Sequence, residues 1–136
     1  MKVKITSLLF FVFALPAFAE KGDIYDCKFK VKRGQWLVEQ VVVGIGHKSG
    51  LAMVYDGMIH KEHGKPIEAK FTRDDDKRMV LKWAVFLKVG TNPTVKVNML
   101  LTYHKSNKKA GIKSNLSGYE NFDTARGACT ISVGNV

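Results

Sequence analysis

The sequence predicts an all-β domain, an antiparallel meander that closes into a small barrel and contains at most one short helix. Three observations lead to this prediction: segments in which apolar and polar residues alternate, turn residues at short intervals between those segments, and two cysteines near opposite ends of the chain. Alternation is typical of a strand that has one face on a core and the other in water. A two-sheet β-sandwich fits the same observations and is the alternative.

The alternating segments define rows of side chains that should face the core. Residues 27–32 alternate apolar with cationic side chains. Three further inward rows are expected: Leu81, Trp83, Val85, Leu87 and Val89; Val95, Val97, Met99, Leu101 and Tyr103; and Cys129, Ile131 and Val133. The first of these is flanked by Val80, Ala84 and Phe86, so we expect that strand to be covered on both faces.

Turn residues between these segments set the strand boundaries. Strands are predicted at residues 24–31, 36–44, 50–55, 58–61, 66–72, 78–88, 94–104, 109–115 and 127–133. Asp56-Gly57 is the type of dipeptide that forms a tight hairpin, and residues 119–126 are the best place for one short helix. Short strands at this even spacing favour an antiparallel meander.

Cys27 and Cys129 are the two cysteines of the chain. A disulfide between them requires their Cα atoms to lie within about 7 Å of each other, which would make the first and last predicted strands neighbours. In an up-and-down meander this adjacency closes the sheet into a barrel and removes both edges. The bridge would close a loop of about 100 residues, for which the chain-entropy model gives up to about 4.7 kcal/mol of stabilisation.

The N-terminus has the three zones of a secretion signal. Lys2 and Lys4 supply positive charge, residues 8–15 supply an apolar run, and Ala17-Phe18-Ala19 supplies small residues at a cleavage site. We therefore predict a cleavable signal peptide over residues 1–19.

Cleavage before Glu20 would leave a single β domain over residues 20–136. Loss of Lys2 and Lys4 lowers the net charge from +10 to +8. Export to the periplasm or the extracellular space would supply the oxidising environment in which disulfides persist. No later segment is long and apolar enough to predict a membrane-spanning helix.

Gly34-Gln35-Trp36 forms a Gly-x-Trp tripeptide that resembles the short motif near the start of lipocalin barrels. The resemblance covers these three residues and the general meander layout. In this chain the tripeptide follows the first predicted strand, and the domain is short for that family. We assign no family from it.

No catalytic, metal or nucleotide motif is recognisable. His60-Lys61-Glu62-His63 contains zinc-type ligands, but residues three apart on a strand or turn point to different sides. The contiguous acids Asp74-Asp75-Asp76 lack the spacing of an EF-hand and suit a charged hairpin tip. Residues 44–50 lack the spacing of a phosphate loop. We expect neither an enzyme nor a bound cofactor or metal.

The leading hypothesis is an exported, non-enzymatic binding or structural domain. If the inward rows leave a cavity, a small apolar ligand would lie inside the barrel, in contact with Trp36, Trp83, Met99 and Tyr103. A barrel of this size can instead fill its interior with side chains.

The alternative is an interaction module that acts through a lysine-rich face. Its candidate contacts are Lys28, Lys30, Lys32, Lys105, Lys108, Lys109 and Lys113. The positive field of this face would attract an anionic envelope component or a secreted enzyme that the domain inhibits. Nucleic acid is disfavoured as a partner, because export separates the protein from it and no row of aromatic residues accompanies the lysines.

Overall fold

Eight strands and one short helix make up the part of the chain that the structure describes. The computed structural model describes residues 20–91 and 93–136. The predicted signal peptide, residues 1–19, lies outside the described residues, as does Asn92 of the turn between residues 90 and 93. The elements are β1 (Lys21–Phe29), β2 (Gln40–Gly46), β3 (Ala52–Asp56), α1 (Gly57–His63), β4 (Ile67–Asp74), β5 (Arg78–Lys88), β6 (Thr94–His104), β7 (Lys109–Leu116) and β8 (Phe122–Asn135).

The eight strands form a closed antiparallel barrel. Each strand pairs with the next one along the chain, and β8 pairs with β1 to close the sheet. Cys27 lies directly opposite Cys129 in the β1–β8 register, and the two residues form a disulfide across 102 residues of sequence. The barrel prediction and the bridge are therefore confirmed, and the sandwich alternative is wrong.

The core lies inside the barrel and is built from the alternating rows. The inward side chains of β5 and β6 are buried, from Met79 to Leu87 and from Val97 to Tyr103. The third predicted row is buried only at Cys129, whereas Ile131 and Val133 are exposed. The reason is that the second half of β8 pairs only with β1, so it has no neighbouring strand on its other side.

Helix α1 replaces a predicted strand at residues 58–61 and a predicted hairpin at Asp56-Gly57. Asp56 is the N-cap of this helix, and its Oδ1 accepts a hydrogen bond from the Ile59 backbone N–H at 2.8 Å. Gly64 ends the helix in the left-handed conformation with φ 68°. Aspartate caps a helix as readily as it begins a turn, and the fully buried Ile59 stabilises the helical alternative. No helix in the described residues is long and apolar enough to cross a membrane.

Two further boundaries differ from the prediction. Residues 119–126 do not form a helix, because β8 begins at Phe122 and pairs with Asn115 of β7. Strand β2 begins at Gln40 rather than at residue 36. The intervening residues 30–39 form a loop that folds back on the barrel and buries Leu37.

Candidate functional site

Positive charge is concentrated on three consecutive strands. Between Asp76 and Glu120 the sequence contains nine lysine and arginine residues and no acidic residue. Strands β5, β6 and β7 lie entirely within this segment. Because their apolar side chains face the core, their lysines lie on the outer face of the sheet.

A depression of about 540 Å³ lies on this outer face, across β4 to β7. Four lysines line it, one from each of the four strands. We call it the lysine depression and define it by Lys70, Lys82, Lys96 and Lys113, together with Glu68, Trp83, Ala84, Asn98, Met99, Leu100 and Asn115. It combines a carboxylate, two amides and four small or apolar residues with four positive charges.

The strand register places three of these lysines in one row. Lys70 lies opposite Lys82, Lys82 lies opposite Leu100, and Leu100 lies opposite Lys113. Neighbouring strands are about 4.8 Å apart, so the Cα atoms of Lys82 and Lys113 are separated by about 10 Å. None of the four lysines forms an ion pair with any residue in 20–91 or 93–136. Their charge is thus available to a ligand.

Exposed aromatic rings accompany two of the lysines. The Lys96 ammonium lies 5.8 Å from the centre of the Phe86 ring, and the Lys113 ammonium lies 3.8 Å from the centre of the Phe122 ring. Phe86 faces Lys96 directly in the β5–β6 register. Neither contact is recognisable in the linear sequence, because each joins residues of different strands. The expectation that nucleic acid is not a partner stays a prediction.

A second depression, of about 320 Å³, adjoins the first. Exposed Trp36, Tyr119 and Phe122 line it, and we call it the aromatic cleft. Its lining also includes Gly34, Ser114, Asn115, Leu116, Asn121 and Asp123. Asn115 lines both depressions, so the two form one continuous surface.

The loop that carries Trp36 is attached to β7 and β8. The Trp36 backbone N–H donates to Asp123 Oδ2 at 2.8 Å, and its carbonyl oxygen accepts from the buried Ser114 hydroxyl at 2.5 Å. The Gln35 side-chain amide donates to the Thr124 carbonyl oxygen at 3.3 Å. These bonds fix the tripeptide at residues 34–36 at the edge of the barrel.

The lysines predicted from the sequence do not form one face. Lys113 belongs to the lysine depression, and Lys28 and Lys109 flank Ala128 on the outer face of β1, β8 and β7. Lys105 forms an ion pair with Asp74 at 2.7 Å, and this hydrogen bond raises the pKa of Lys105. The remaining three, Lys30, Lys32 and Lys108, are exposed in loops outside the strands.

Three of the four residues proposed to contact an interior ligand point into the barrel. Trp83, Met99 and Tyr103 are at most 5% exposed and pack in the core. Trp36 does not face the interior, because it is 37% exposed and lies in the loop before β2. Trp83 and Met99 also line the lysine depression, and the apolar-ligand hypothesis stays a prediction.

One buried polar pair connects α1 to the core. Asp56 is buried, and loss of solvation raises the pKa of its carboxyl, while the backbone N–H groups of Ile59 and Met58 and the Trp83 indole N–H lower it. Asp56 Oδ2 and Trp83 Nε1 nevertheless have no partner in hydrogen-bond geometry among the described residues. The Trp83 indole N–H therefore lies near the Asp56 carboxylate but does not form a well-aligned hydrogen bond with it.

The histidine and aspartate motifs have local roles. His60 and His63 lie on helix α1, where residues three apart share a face, and not on a strand or turn as predicted. His60 Nδ1 is hydrogen-bonded to the Tyr55 hydroxyl. The Asp75 carboxylate lies at the β4–β5 tip, where the backbone N–H of Arg78 and the Arg73 guanidinium hold its pKa well below 3.8. Residues 20–91 and 93–136 contain no group of three His, Cys, Asp or Glu side chains that could hold a metal ion.

The lysines that sequence reasoning missed are Lys70, Lys82 and Lys96. All three alternate with core residues along predicted strands, so the sequence could predict that their side chains point outward. Their proximity depends on the register of four strands, which no single segment encodes. Comparisons with protein-family models, curated proteins and solved structures gave no match to the chain.

Proposed function

We propose that the protein is an exported, non-enzymatic binding domain that holds an anionic envelope polymer in the lysine depression. The observation that carries the proposal is the convergence of four lysines on the outer face of β4 to β7, none of which has an ion-pair partner among the described residues. The Cys27–Cys129 disulfide is consistent with an exported protein.

The arrangement of the lysines supports binding rather than stability. Like charges directly opposite each other destabilise a sheet, and Lys70 faces Lys82 in the register of β4 and β5. Features that break a local rule of stability are expected at functional sites. An anionic group between the two ammonium groups would attract both and so offset their mutual repulsion.

The core residues favour an external site. Trp83, Met99 and Tyr103 belong to the core cluster of the barrel, and a barrel of this size can fill its interior with side chains. A polymer is the better match to the outer face, because the lysines are spread over four strands, or about 14 Å.

The test compares two variants with the same net charge. In the first, Lys82 and Lys113 are replaced by glutamate; in the control, Lys48→Glu and Lys61→Glu change exposed lysines on the β2–β3 turn and on α1. Residues 20–136 are applied to an immobilised acidic polymer at low salt and eluted with a salt gradient. We expect the wild type and the control to be retained and the first variant to elute much earlier.

Salt should release the wild type, since the Debye length shortens from about 10 Å at 0.1 M to about 3 Å at 1 M. If the two variants elute together, binding depends on net charge alone and the lysine depression is not the site. Absence of retention of the wild type at low salt would refute the proposed function.

A further inference from the structure

Three large aromatic side chains from separate segments meet in the aromatic cleft. Trp36 comes from the loop before β2, Tyr119 from the turn after β7, and Phe122 from the start of β8. They are 37%, 68% and 56% exposed. Exposed apolar surface that is grouped and bordered by polar residues marks a binding site more often than scattered single residues do.

Polar groups in the cleft favour a ligand rich in hydroxyl groups. Asn115 and Asn121 each provide an amide donor and acceptor. Asp123 accepts the Trp36 backbone N–H on one carboxylate oxygen, Oδ2, which leaves Oδ1 as an acceptor for hydroxyl donors. Aromatic faces beside amide and carboxylate groups suit a sugar ring, which offers C–H bonds on its faces and hydroxyl groups at its edge.

Acidic side chains in and beside the aromatic cleft disfavour a phosphodiester chain as its ligand. Asp123 lines the cleft, and Glu120 is adjacent to Tyr119 in the β7–β8 turn. A strand of nucleic acid that stacked its bases on the three rings would bring its backbone charges close to these carboxylates. An acidic sugar carries its carboxylate on one edge of the ring, so that this group can face the lysines while the uncharged hydroxyl groups face Asp123 and Glu120.

The cleft and the lysine depression meet at two places. Asn115 lines both, and the Lys113 ammonium of the depression lies over the Phe122 ring of the cleft. We infer that the ligand is an acidic polysaccharide, with a sugar stacked in the aromatic cleft and carboxylate or sulfate groups of its neighbours bound by the lysines. This inference rests on the proposed function and specifies the class of its ligand.

The hydrogen bonds that the Trp36 backbone donates to Asp123 and accepts from Ser114 hold the loop before a ligand arrives. A preformed cleft reduces the entropy lost on binding. The side chain of Tyr119, in contrast, has no hydrogen bond within the described residues, so its removal should leave the loop intact.

The experiment measures dissociation constants of residues 20–136 for three probes of equal charge: an oligogalacturonate, a poly-L-glutamate and an oligodeoxythymidylate. Tyr119→Ala and Trp36→Ala are compared with a control, Ile131→Ala, which removes an exposed apolar side chain from the distant half of β8. We expect the two cleft variants to bind oligogalacturonate about 3- to 10-fold more weakly, as loss of a stacking contact predicts. Binding of poly-L-glutamate should not change, and Ile131→Ala should match the wild type.

Equal binding of oligogalacturonate by Tyr119→Ala, Trp36→Ala and the wild type would overturn the inference while leaving the lysine depression as a site for polyanions. A tighter, Tyr119-dependent complex with oligodeoxythymidylate would overturn it in favour of single-stranded nucleic acid. If the wild type bound none of the three probes at low salt, the proposed function would fail together with the inference.

Discussion

At the scale of single residues, the site depends on charges that the fold leaves uncompensated. Lys105 has an acidic partner in Asp74, whereas Lys70 and Lys82 face each other across the β4–β5 ladder. Alternation predicted that Lys82 would point outward, as it does. It could not predict that its neighbour would be another lysine, because that depends on which residues of two strands are paired.

Lys82→Glu should stabilise the protein and weaken binding of an acidic polymer. Glutamate would replace a cross-strand repulsion from Lys70 by an attraction, and such pairs contribute roughly 0.2–1 kcal/mol. Thermal denaturation should show a higher midpoint than that of the wild type, together with weaker retention on the acidic polymer. A lower midpoint in low salt would contradict the electrostatic interpretation of this pair.

Asp56 should make stability decrease as pH rises above its ordinary pKa of 3.8. Burial raises the pKa of this carboxyl in the folded protein, so the folded state binds the proton more tightly than the unfolded chain does. Stability that is present below pH 3.8 is therefore lost as pH rises through the folded pKa. Asp56→Asn keeps an acceptor for the Ile59 N–H but does not titrate.

The measurement is the free energy of unfolding of the wild type and of Asp56→Asn at pH 4 and pH 7. We expect the free energy of unfolding of Asp56→Asn, taken relative to that of the wild type, to be higher at pH 7 than at pH 4. If the difference in free energy of unfolding between the two proteins is the same at both pH values, ionisation of the buried Asp56 carboxyl does not destabilise the folded state. Asp75 titrates in both proteins and cancels in this comparison.

At the scale of elements, alternation and turn residues together located β1, β3 and β4 to β7, and failed where tertiary contacts decide. The Asp56-Gly57 dipeptide predicts a tight hairpin and, after it, a strand at residues 58–61. The helix forms because Asp56 caps it and Ile59 is buried. The start of β8 was predicted as a helix, since the partner that makes it a strand, β7, is recognisable only in the folded barrel.

Gly127 permits a close approach of β8 to β1 that any side chain would prevent. A Cβ atom there would overlap the Lys28 carbonyl oxygen and lie 2.9 Å from the Phe29 Cα, and both are backbone atoms that cannot rotate away. Gly111 on β7 is a matched control, because its nearest atom would be the Ala125 carbonyl oxygen at 3.9 Å.

Gly127→Ala should therefore lower the free energy of unfolding by several kcal/mol or prevent folding, as a forced backbone shift implies, and Gly111→Ala should change it by less than about 0.5 kcal/mol. Chemical denaturation of the two variants gives the comparison. Similar stability of the two variants would show that β1 and β8 are not packed as described.

At the scale of the whole molecule, the two cysteines predicted that the first and last strands are neighbours, as they are. A sandwich can also bring its terminal strands together, so only the β1–β8 ladder of the folded protein decides in favour of the barrel. The binding surface was harder to predict from the sequence, because its residues come from β4, β5, β6, β7 and two loops. Only closure of the barrel brings Trp36, in the loop before β2, next to Phe122 on β8.

Removal of the disulfide should destabilise the folded protein more than any surface change does. The chain-entropy model predicts up to about 4.7 kcal/mol for a loop of this length. Denaturation curves of the wild type under reducing and non-reducing conditions, and of the Cys27→Ala, Cys129→Ala double variant, should show this loss. A midpoint that does not respond to reduction would mean that the β1–β8 ladder closes the barrel without help from the bridge.

The central claim is that an anionic ligand binds on the outer face of β4 to β7. The most direct test is the change in amide chemical shifts of isotope-labelled residues 20–136 when an acidic oligosaccharide is added at low salt. We predict that the largest changes fall on the side-chain amides of Asn98 and Asn115 and on the backbone around Lys82 and Lys113. Changes centred on the backbone amides of β1 to β3 would contradict the account.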